Sequence, residues 1–220
     1  MNQKDCLLKI YKLTNHKNEL VRMEAQSAVI NFSGFEGLRF LDIISYPLLP
    51  WQQLKLLDQL SKIPAESFTG IENWLGSGND SVVMFALRLV MIYHRFELHD
   101  TVAKCLNHPA PAIRKCTVET LMHIYTEDTA ALILNNYDTE DKAYRLAVLD
   151  ALREMGTPEN LVSFLIKEFG KEDNEIKMAA ARALLEAENG EGARALESYP
   201  NGPYYPWNEI IQQLKAEKAA

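Results

Sequence analysis

The sequence has few of the features that hold small secreted proteins or membrane proteins together. Three cysteines, Cys6, Cys105 and Cys116, are an odd number and too few for a disulfide framework, so we expect reduced thiols. The longest apolar stretch, residues 82–93, contains Arg88 and is shorter than the roughly 20 residues that span a membrane. The first residues include an acidic group and no long apolar run follows them, which is unlike a secretory signal. These absences predict a cytoplasmic protein that does not itself insert into a membrane.

An excess of positive charge is also lacking. The net charge is −7, and residues 1–110 carry 11 basic and 11 acidic side chains, whereas residues 111–220 carry 12 and 19. The acidic excess therefore lies wholly in the second half. A nucleic-acid site needs Lys and Arg to neutralise phosphates, so we expect no nucleic-acid partner.

One sequence motif repeats about every 31 residues. It begins with an aliphatic or aromatic residue, which we call the anchor, usually followed by Arg or Lys and then by small and apolar residues at helical spacing. Clear copies begin at Val21, Val82, Ile113, Tyr144 and Ile176. The same step places weaker copies at Gln52 and Trp207. Because one copy cannot bury its apolar face alone and must stack on its neighbours, the period predicts a single repeat domain over 1–220.

Between successive anchors lies a second, less regular helical pattern, so each repeat is predicted to be a helical hairpin. These patterns cover 3–13, 34–45, 65–75, 98–107, 129–136, 158–169 and 191–198. Four anchors have Asn or Asp three residues before them, which predicts an N-cap for each anchor helix. These residues are Asn18, Asn79, Asp141 and Asp173. Pro50 and Pro206 are expected to open their helices instead, at the tolerated first-turn position.

The short period, the polar cap before the anchor and the basic residue after it resemble HEAT repeats, in particular the bacterial kind also called PBS-lyase HEAT-like repeats. The resemblance covers nearly the whole chain. It is strongest at Ile113, Tyr144 and Ile176, and weakest at the copies where Gln53 and Asn208 replace the basic residue. It implies an all-α fold, a right-handed α-solenoid of about seven antiparallel helical hairpins, or HEAT-like superhelix.

The same resemblance implies a ladder of ion pairs along the anchor helices. In such repeats the acid before the anchor usually pairs with the basic residue after it. The pairs here would be Asp141 with Arg145 and Asp173 with Lys177. Arg114 has no acid at position 110, so we expect the ladder to be broken there.

Catalytic and metal sites have little support in the sequence. Cys105, His108, Cys116 and His123 do not have the spacing of a structural zinc site, so we expect the two thiols to be small apolar fillers. No motif gathers a nucleophile, a base and an orienting group. We therefore expect no enzyme, no metal and no cofactor. HEAT-like folds nevertheless include bilin lyases, and a bilin-lyase-like or other small-ligand enzyme remains an alternative.

The most informative surface row lies two residues after the anchors. We number positions from the anchor, so that the anchor and positions +4, +7 and +8 form the buried stripe, while +2, +6 and +9 lie at its edge. Met and Leu recur at +2, and Met is common on surfaces that accept apolar helices. The candidate binding residues are Met23, Leu54, Met84, Arg88, Met91, Lys115, Glu119, Met122, Leu146, Asp150, Met178 and Arg182.

Two interpretations of this row remain open: it packs between adjacent repeats, or it lines a groove on the concave face. The second predicts a non-catalytic protein-binding scaffold whose partner is a protein or peptide, such as an amphipathic helix. A further alternative concerns location. The stretches 24–26, 34–42 and 51–53 resemble soluble HEAT regions of bacterial proteins with upstream membrane helices. The chain would then be the cytoplasmic arm of a membrane-anchored complex.

An aromatic run, residues 199–207, ends the array. It could bind a proline-rich peptide or a sugar. We expect it instead to close the open end of the solenoid, where the last repeat lacks a stacking neighbour.

Overall fold

The chain forms helices in both of its halves. The computed structural model describes residues 3–63, 69–157, 159–187, 190–198, 211–212 and 214–216. Every regular element within these ranges is helical. Internal contacts divide the chain into an N-terminal unit, Met1–Cys105, and a C-terminal unit, Leu106–Ala220. The single domain expected from the repeat period stays a prediction.

The N-terminal unit alternates regular helices that carry the anchors, which we call B helices, with shorter and less regular A helices. Its B helices are α2 (Glu19–Ser33), α3 (Pro50–Leu60) and α5 (Asp80–Ile92). Its A helices are α1 (Gln3–Leu13), a 3-10 helix (Gly34–Asp42), α4 (Ile71–Leu75) and α6 (His99–Ala103). The 3-10 helices Phe96–Leu98 and Lys104–Asn107 flank α6. The predicted alternation is confirmed here, although part of the pattern at 65–75 lies outside the described residues.

The C-terminal unit continues the same alternation. Its B helices are α7 (Pro111–Leu121), α9 (Lys142–Glu154) and α11 (Asn174–Leu185). Its A helices are α8 (Thr129–Leu134), a 3-10 turn (Glu159–Leu161) leading into α10 (Val162–Phe169), and α12 (Glu191–Glu197). Beyond them, 211–212 and 214–216 are helical, with Ile211 and Leu214 buried as the anchor at 207 predicts. Trp207, Pro206 and the aromatic run 199–207 lie outside the described residues.

The predicted N-caps are confirmed at all four B helices. Side-chain oxygens of Asn18, Asn79, Asp141 and Asp173 accept hydrogen bonds from backbone N–H groups of the first turns of α2, α5, α9 and α11. Pro50 occupies the first turn of α3. Each cap satisfies an N–H group that a helix leaves without an internal partner. The caps therefore fix where these four B helices begin, and with it the register of their buried stripes.

The buried stripe follows the predicted positions on α5 and α9. On α5, Val82 and Val90, the anchor and position +8, are completely buried, and α9 repeats this with Tyr144 and Leu152. Tyr144 fits an anchor position because its hydroxyl donates to the Ile133 carbonyl, 3.0 Å away, and burial raises the pKa of Tyr144 to about 12. In the C-terminal unit α9 packs against both α7 and α11, while α10 packs against α11. Packing in chain order is the arrangement that a repeat period predicts.

A second set of contacts joins the ends of successive A helices, about one period apart. These hydrogen bonds run from Asn15 Nδ2 to Ile43 O, Trp74 Nε1 to Asp42 Oδ1, Cys105 Sγ to Leu75 O, Asn136 Nδ2 to Leu106 O and Tyr137 Oη to Glu168 Oε2. The bonded residue types differ from one pair of A helices to the next, but each bond lies near the ends of the two helices that it joins. The A helices are therefore tied to their neighbours by polar contacts as well as by packing.

The bond between Tyr137 and Glu168 is the most deeply buried of these links. The hydroxyl of Tyr137 donates to Glu168 Oε2 at 2.9 Å, and neither residue is more than 2% exposed. Lys171 Nζ lies 2.6 Å from the other carboxylate oxygen of Glu168. Burial, and then the bond to Glu168, hold the pKa of Tyr137 well above its usual value. A buried carboxylate is tolerated here because an ammonium and a hydroxyl compensate for the lost water.

Replacing Tyr137 by Phe should destabilise the fold by about 1–3 kcal/mol, because a buried carboxylate oxygen loses its donor. The matched control is Tyr125→Phe, since Tyr125 is 54% exposed and its hydroxyl is not needed by a buried group. Urea unfolding followed by circular dichroism measures both variants. Equal midpoints for the two variants would contradict a stabilising role for the buried link.

Two B helices end in the same way with different residues. Gly156, with φ +80°, follows α9, and the Thr157 N–H donates to the Leu152 carbonyl at 2.9 Å. At the equivalent place after α5, His94 has φ +47°, and the Arg95 N–H donates to Val90 O at 3.1 Å. This left-handed position favours glycine, because a Cβ crowds the backbone there. His94 is therefore strained where Gly156 is not.

The His94→Gly variant should be more stable than the wild type by about 0.5–1 kcal/mol, because the strained Cβ is removed. The converse change, Gly156→Ala, should cost about 1–2 kcal/mol. No atom lies within 4 Å of the Cβ that this change adds, so the cost is one of backbone conformation alone. Thermal melts of both variants test the pair, and a lower Tm for His94→Gly would contradict the strain.

Candidate protein-binding surface

The face of each B helix opposite the buried stripe is the part open to contact. An α-helix turns 100° per residue, so burial of the anchor and positions +4, +7 and +8 leaves positions −1, +2 and +6 facing away. The candidate binding residues predicted from the sequence occupy positions +2, +6 and +9. Their accessibility therefore tells whether these rows can contact a partner.

In the N-terminal unit, none of the predicted residues is buried. Leu54 on α3 is 63% exposed. Met23 on α2, together with Met84, Arg88 and Met91 on α5, is half-buried. Each of these side chains is thus packed on one side and accessible on the other.

In the C-terminal unit the predicted residues lie on three neighbouring B helices, α7, α9 and α11. Asp150 and Arg182 are exposed. The other five, Lys115, Glu119, Met122, Leu146 and Met178, are half-buried. Lys115 and Glu119 form an ion pair one turn apart on α7. This unit therefore combines the apolar row with a rim of charges of both signs.

The residue after the anchor has a structural task that the sequence did not reveal. Arg22 and Arg114 each donate from Nη1 to the backbone carbonyl five residues earlier, at 3.0 Å in both cases. Gln53 does the same from Nε2 to Leu48 O, also at 3.0 Å. The side chain thus closes the loop that leads into its own B helix. Gln53 performs this task without a charge, which explains why the motif tolerates the replacement.

The ladder of ion pairs differs from the expected one. Arg114 forms two parallel bonds with Glu140, Nε to Oε1 at 2.5 Å and Nη2 to Oε2 at 2.7 Å, which raise the pKa of Arg114. The expected break at Arg114 is therefore wrong, because the acid comes from the next repeat. Lys142 Nζ lies 2.9 Å from Asp173 Oδ2 and 2.9 Å from Glu175 Oε1. Charged pairs thus join one repeat to the next.

Two exposed residues next to the predicted row escaped the sequence reasoning. Leu20 is 66% exposed and Trp51 is 45% exposed, and both stand at position −1, three residues before the +2 row. With Met23 and Leu54 they form a set that we call the apolar ledge. The available signal was a large apolar residue just before the anchor in two consecutive repeats, on the side that the period predicts to be exposed.

Other candidate sites have the following geometry. Cys105 and Cys116 are buried, and burial raises the pKa of the Cys105 thiol. Within the described part of the chain no group of three or more His, Cys, Asp or Glu residues could hold a metal ion. A depression of about 540 Å³ in the N-terminal unit is lined by Ile44, Ser45, Pro47, Ser77, Gly78, Asn79 and Asp80. No helix in the described ranges is long and apolar enough to cross a membrane.

The cap of α11 predicts a dependence of stability on pH. Lys142, together with the N–H groups of Ile176 and Glu175, lowers the pKa of Asp173. Because the folded pKa lies below the unfolded value of about 3.9, the carboxylate stabilises the fold above that pH. Its contribution is lost as the pH falls through the folded pKa.

The Asp173→Asn variant keeps an oxygen that can cap the helix but cannot titrate. Its Tm should therefore fall less steeply than that of the wild type below about pH 4. The Asp173→Ala variant, which has no capping oxygen, should have a lower Tm than Asp173→Asn at neutral pH. Tm curves for Asp173→Asn and the wild type that run parallel down to about pH 2 would contradict this assignment.

Comparison with known proteins bears on the fold. No family model matches the chain, and no curated protein is similar to it in sequence. Among solved structures, it is similar to an engineered protein, Northeast Structural Genomics Consortium target OR329, with 15% identity and a TM-score of 0.50. The match covers 100% of this chain and 98% of the engineered one. At this identity the likeness concerns the fold alone, which is all-α and repeat-like.

Proposed function

We propose that this chain is a HEAT-like, right-handed α-solenoid of about seven antiparallel hairpins that acts as a non-catalytic protein-binding scaffold. The period near 31 residues, the repeated caps and the links between successive repeats support the solenoid. The buried thiol of Cys105, which forms no disulfide, supports a reducing, cytoplasmic location.

The observation that carries the binding function is the partial exposure of apolar side chains along the B helices. Met23, Met84, Leu146 and Met178 all stand at position +2, and all four are half-buried. A side chain that served only the core would be buried like the anchors. Half-buried methionines keep an accessible, adaptable surface that can pack against apolar groups of different shapes. The row therefore favours an apolar partner surface.

Charge favours a protein over a nucleic acid as the partner. The chain carries a net charge of −7, which repels a phosphate backbone. The exposed Asp150 and Arg182 beside the apolar row have opposite signs. A rim of mixed charge around an apolar centre is typical of protein interfaces.

Affinity capture from the native cell tests this proposal. The wild type should retain one or more partners, and Met84→Glu and Met178→Glu should each reduce their recovery at least about tenfold, since a carboxylate would be buried against apolar groups. The control is Leu13→Glu, because Leu13 is 40% exposed on the A helix α1, away from the row. Circular dichroism establishes that all variants are folded. Partners that both variants retain at the wild-type level would refute binding through this row.

A further inference from the structure

The apolar ledge brings together exposed large apolar side chains of two B helices of the N-terminal unit. Its members Leu20, Trp51 and Leu54 are 66%, 45% and 63% exposed, and Met23 is half-buried. On each of the two helices the members are three residues apart, which places them on one face. Exposure of such large apolar side chains to water is unfavourable in free energy, and a partner that covered them would remove this cost.

Contacts between α2 and α3 show that the four residues lie together. Lys55 Nζ lies 3.5 Å from Glu24 Oε1, and Gln59 Nε2 donates to Asn31 Oδ1 at 3.2 Å. Both contacts join residues about one period apart, and they follow the same order along both helices. The two helices are therefore parallel and in register. Leu20 beside Trp51, and Met23 beside Leu54, consequently form one continuous patch.

Two ion pairs border the ledge. Glu24 pairs with Lys55 across the two helices, and Asp58 pairs with Lys62 at 2.6 Å along α3. The paired charges of Lys55 and Asp58 are thereby less available to select a charged partner. The surface thus fits a partner face that is apolar and uncharged at its centre.

The size of the ledge fits a single helix better than a second copy of the chain. Leu20, Trp51 and Leu54 together expose on the order of 300–400 Å² of side-chain surface. A stable dimer buries about 800 Å² on each partner. An amphipathic helix, which presents one narrow apolar stripe, needs far less.

The ledge belongs to the N-terminal unit. Positions −1 and +2 hold Ala112 and Lys115 on α7, and Glu175 and Met178 on α11. Neither of those helices pairs two large apolar side chains there. The pairing of large apolar side chains at positions −1 and +2 is therefore a feature of α2 and α3 that α7 and α11 do not share.

We propose that the apolar ledge is the docking site for the apolar face of an amphipathic helix from another protein, lying across α2 and α3. Packed helices are about 8–10 Å apart, and a helix rises 1.5 Å per residue. A crossing helix therefore meets α2 and α3 with side chains about five to seven residues apart, and a spacing of about seven places both on one face of that helix. This inference rests on the proposed function and adds the place and the partner class.

A designed peptide tests the proposal. The probe is a fluorescein-labelled peptide of about 18 residues, long enough to form a helix. It has Leu on one face with a seven-residue repeat, and Ala, Gln and Ser elsewhere. Fluorescence anisotropy should show saturable binding to the full chain. Leu54→Glu and Trp51→Glu should each weaken the affinity at least about tenfold, since each places a carboxylate in the apolar contact.

The matched control is Leu8→Glu, since Leu8 is 65% exposed on α1, outside the ledge. It should leave the affinity within about twofold of the wild type. A peptide of the same composition with its leucines scattered around the helix should bind at least about tenfold more weakly. Loss of affinity that is equal in Leu8→Glu and Leu54→Glu, or equal binding of the two peptides, would overturn the proposal.

Two further results would also overturn it. One is the absence of saturable peptide binding by the folded wild type. The other is a dimer in sedimentation velocity that Leu54→Glu dissociates, because the ledge would then be covered by a second copy. If captured partners still depend on Met84 and Met178 while the peptide does not bind, the scaffold function stands and the ledge as a helix-docking site is refuted.

Discussion

The structure depends on one constraint: a helical hairpin with a single apolar stripe cannot exclude water unless another hairpin covers it. The anchors Val82 and Tyr144 are buried because neighbouring helices lie over them, not because their own helices enclose them. Everything else adjusts to this requirement. Side-chain caps set where four of the stripes begin, and Arg22, Gln53 and Arg114 close the loops that precede their helices. The ends of the A helices bond about one period apart. The proposed binding surface uses the side of the B helices that this packing leaves open.

The features predicted correctly from the sequence are those set by nearby residues or by the period. The cap formed by Asp173 involves residues only two or three positions away, and the stripe that includes Val82 follows from helical geometry. The pairing of Arg114 with Glu140 joins residues 26 positions apart, and no local pattern indicates it. The exposure of Leu20 was missed for another reason. The period shows where the buried face lies. It does not show whether an apolar residue on the opposite face is covered by a neighbour or exposed to water.

The strained backbone at His94 shows that the repeats are not equally refined. The same helix ending is formed with Gly156 in the C-terminal unit, where the left-handed conformation costs little. At the same left-handed position, one repeat therefore has glycine, while the other has a histidine that costs some stability. Such differences arise readily where each repeat contacts only its neighbours, because a weak position in one repeat leaves distant repeats unaffected.

The buried carboxylate of Glu168 has a consequence for how the array can change in length. Apolar contacts between repeats, and hydrogen bonds to backbone carbonyls, can be formed with any neighbour of similar shape. Glu168 instead needs the hydroxyl of Tyr137 from the repeat before it and Lys171 from its own. Loss of the preceding repeat, or insertion of another at this junction, would leave a charge in the interior without its donor. The repeats on either side are therefore an ordered pair rather than interchangeable modules.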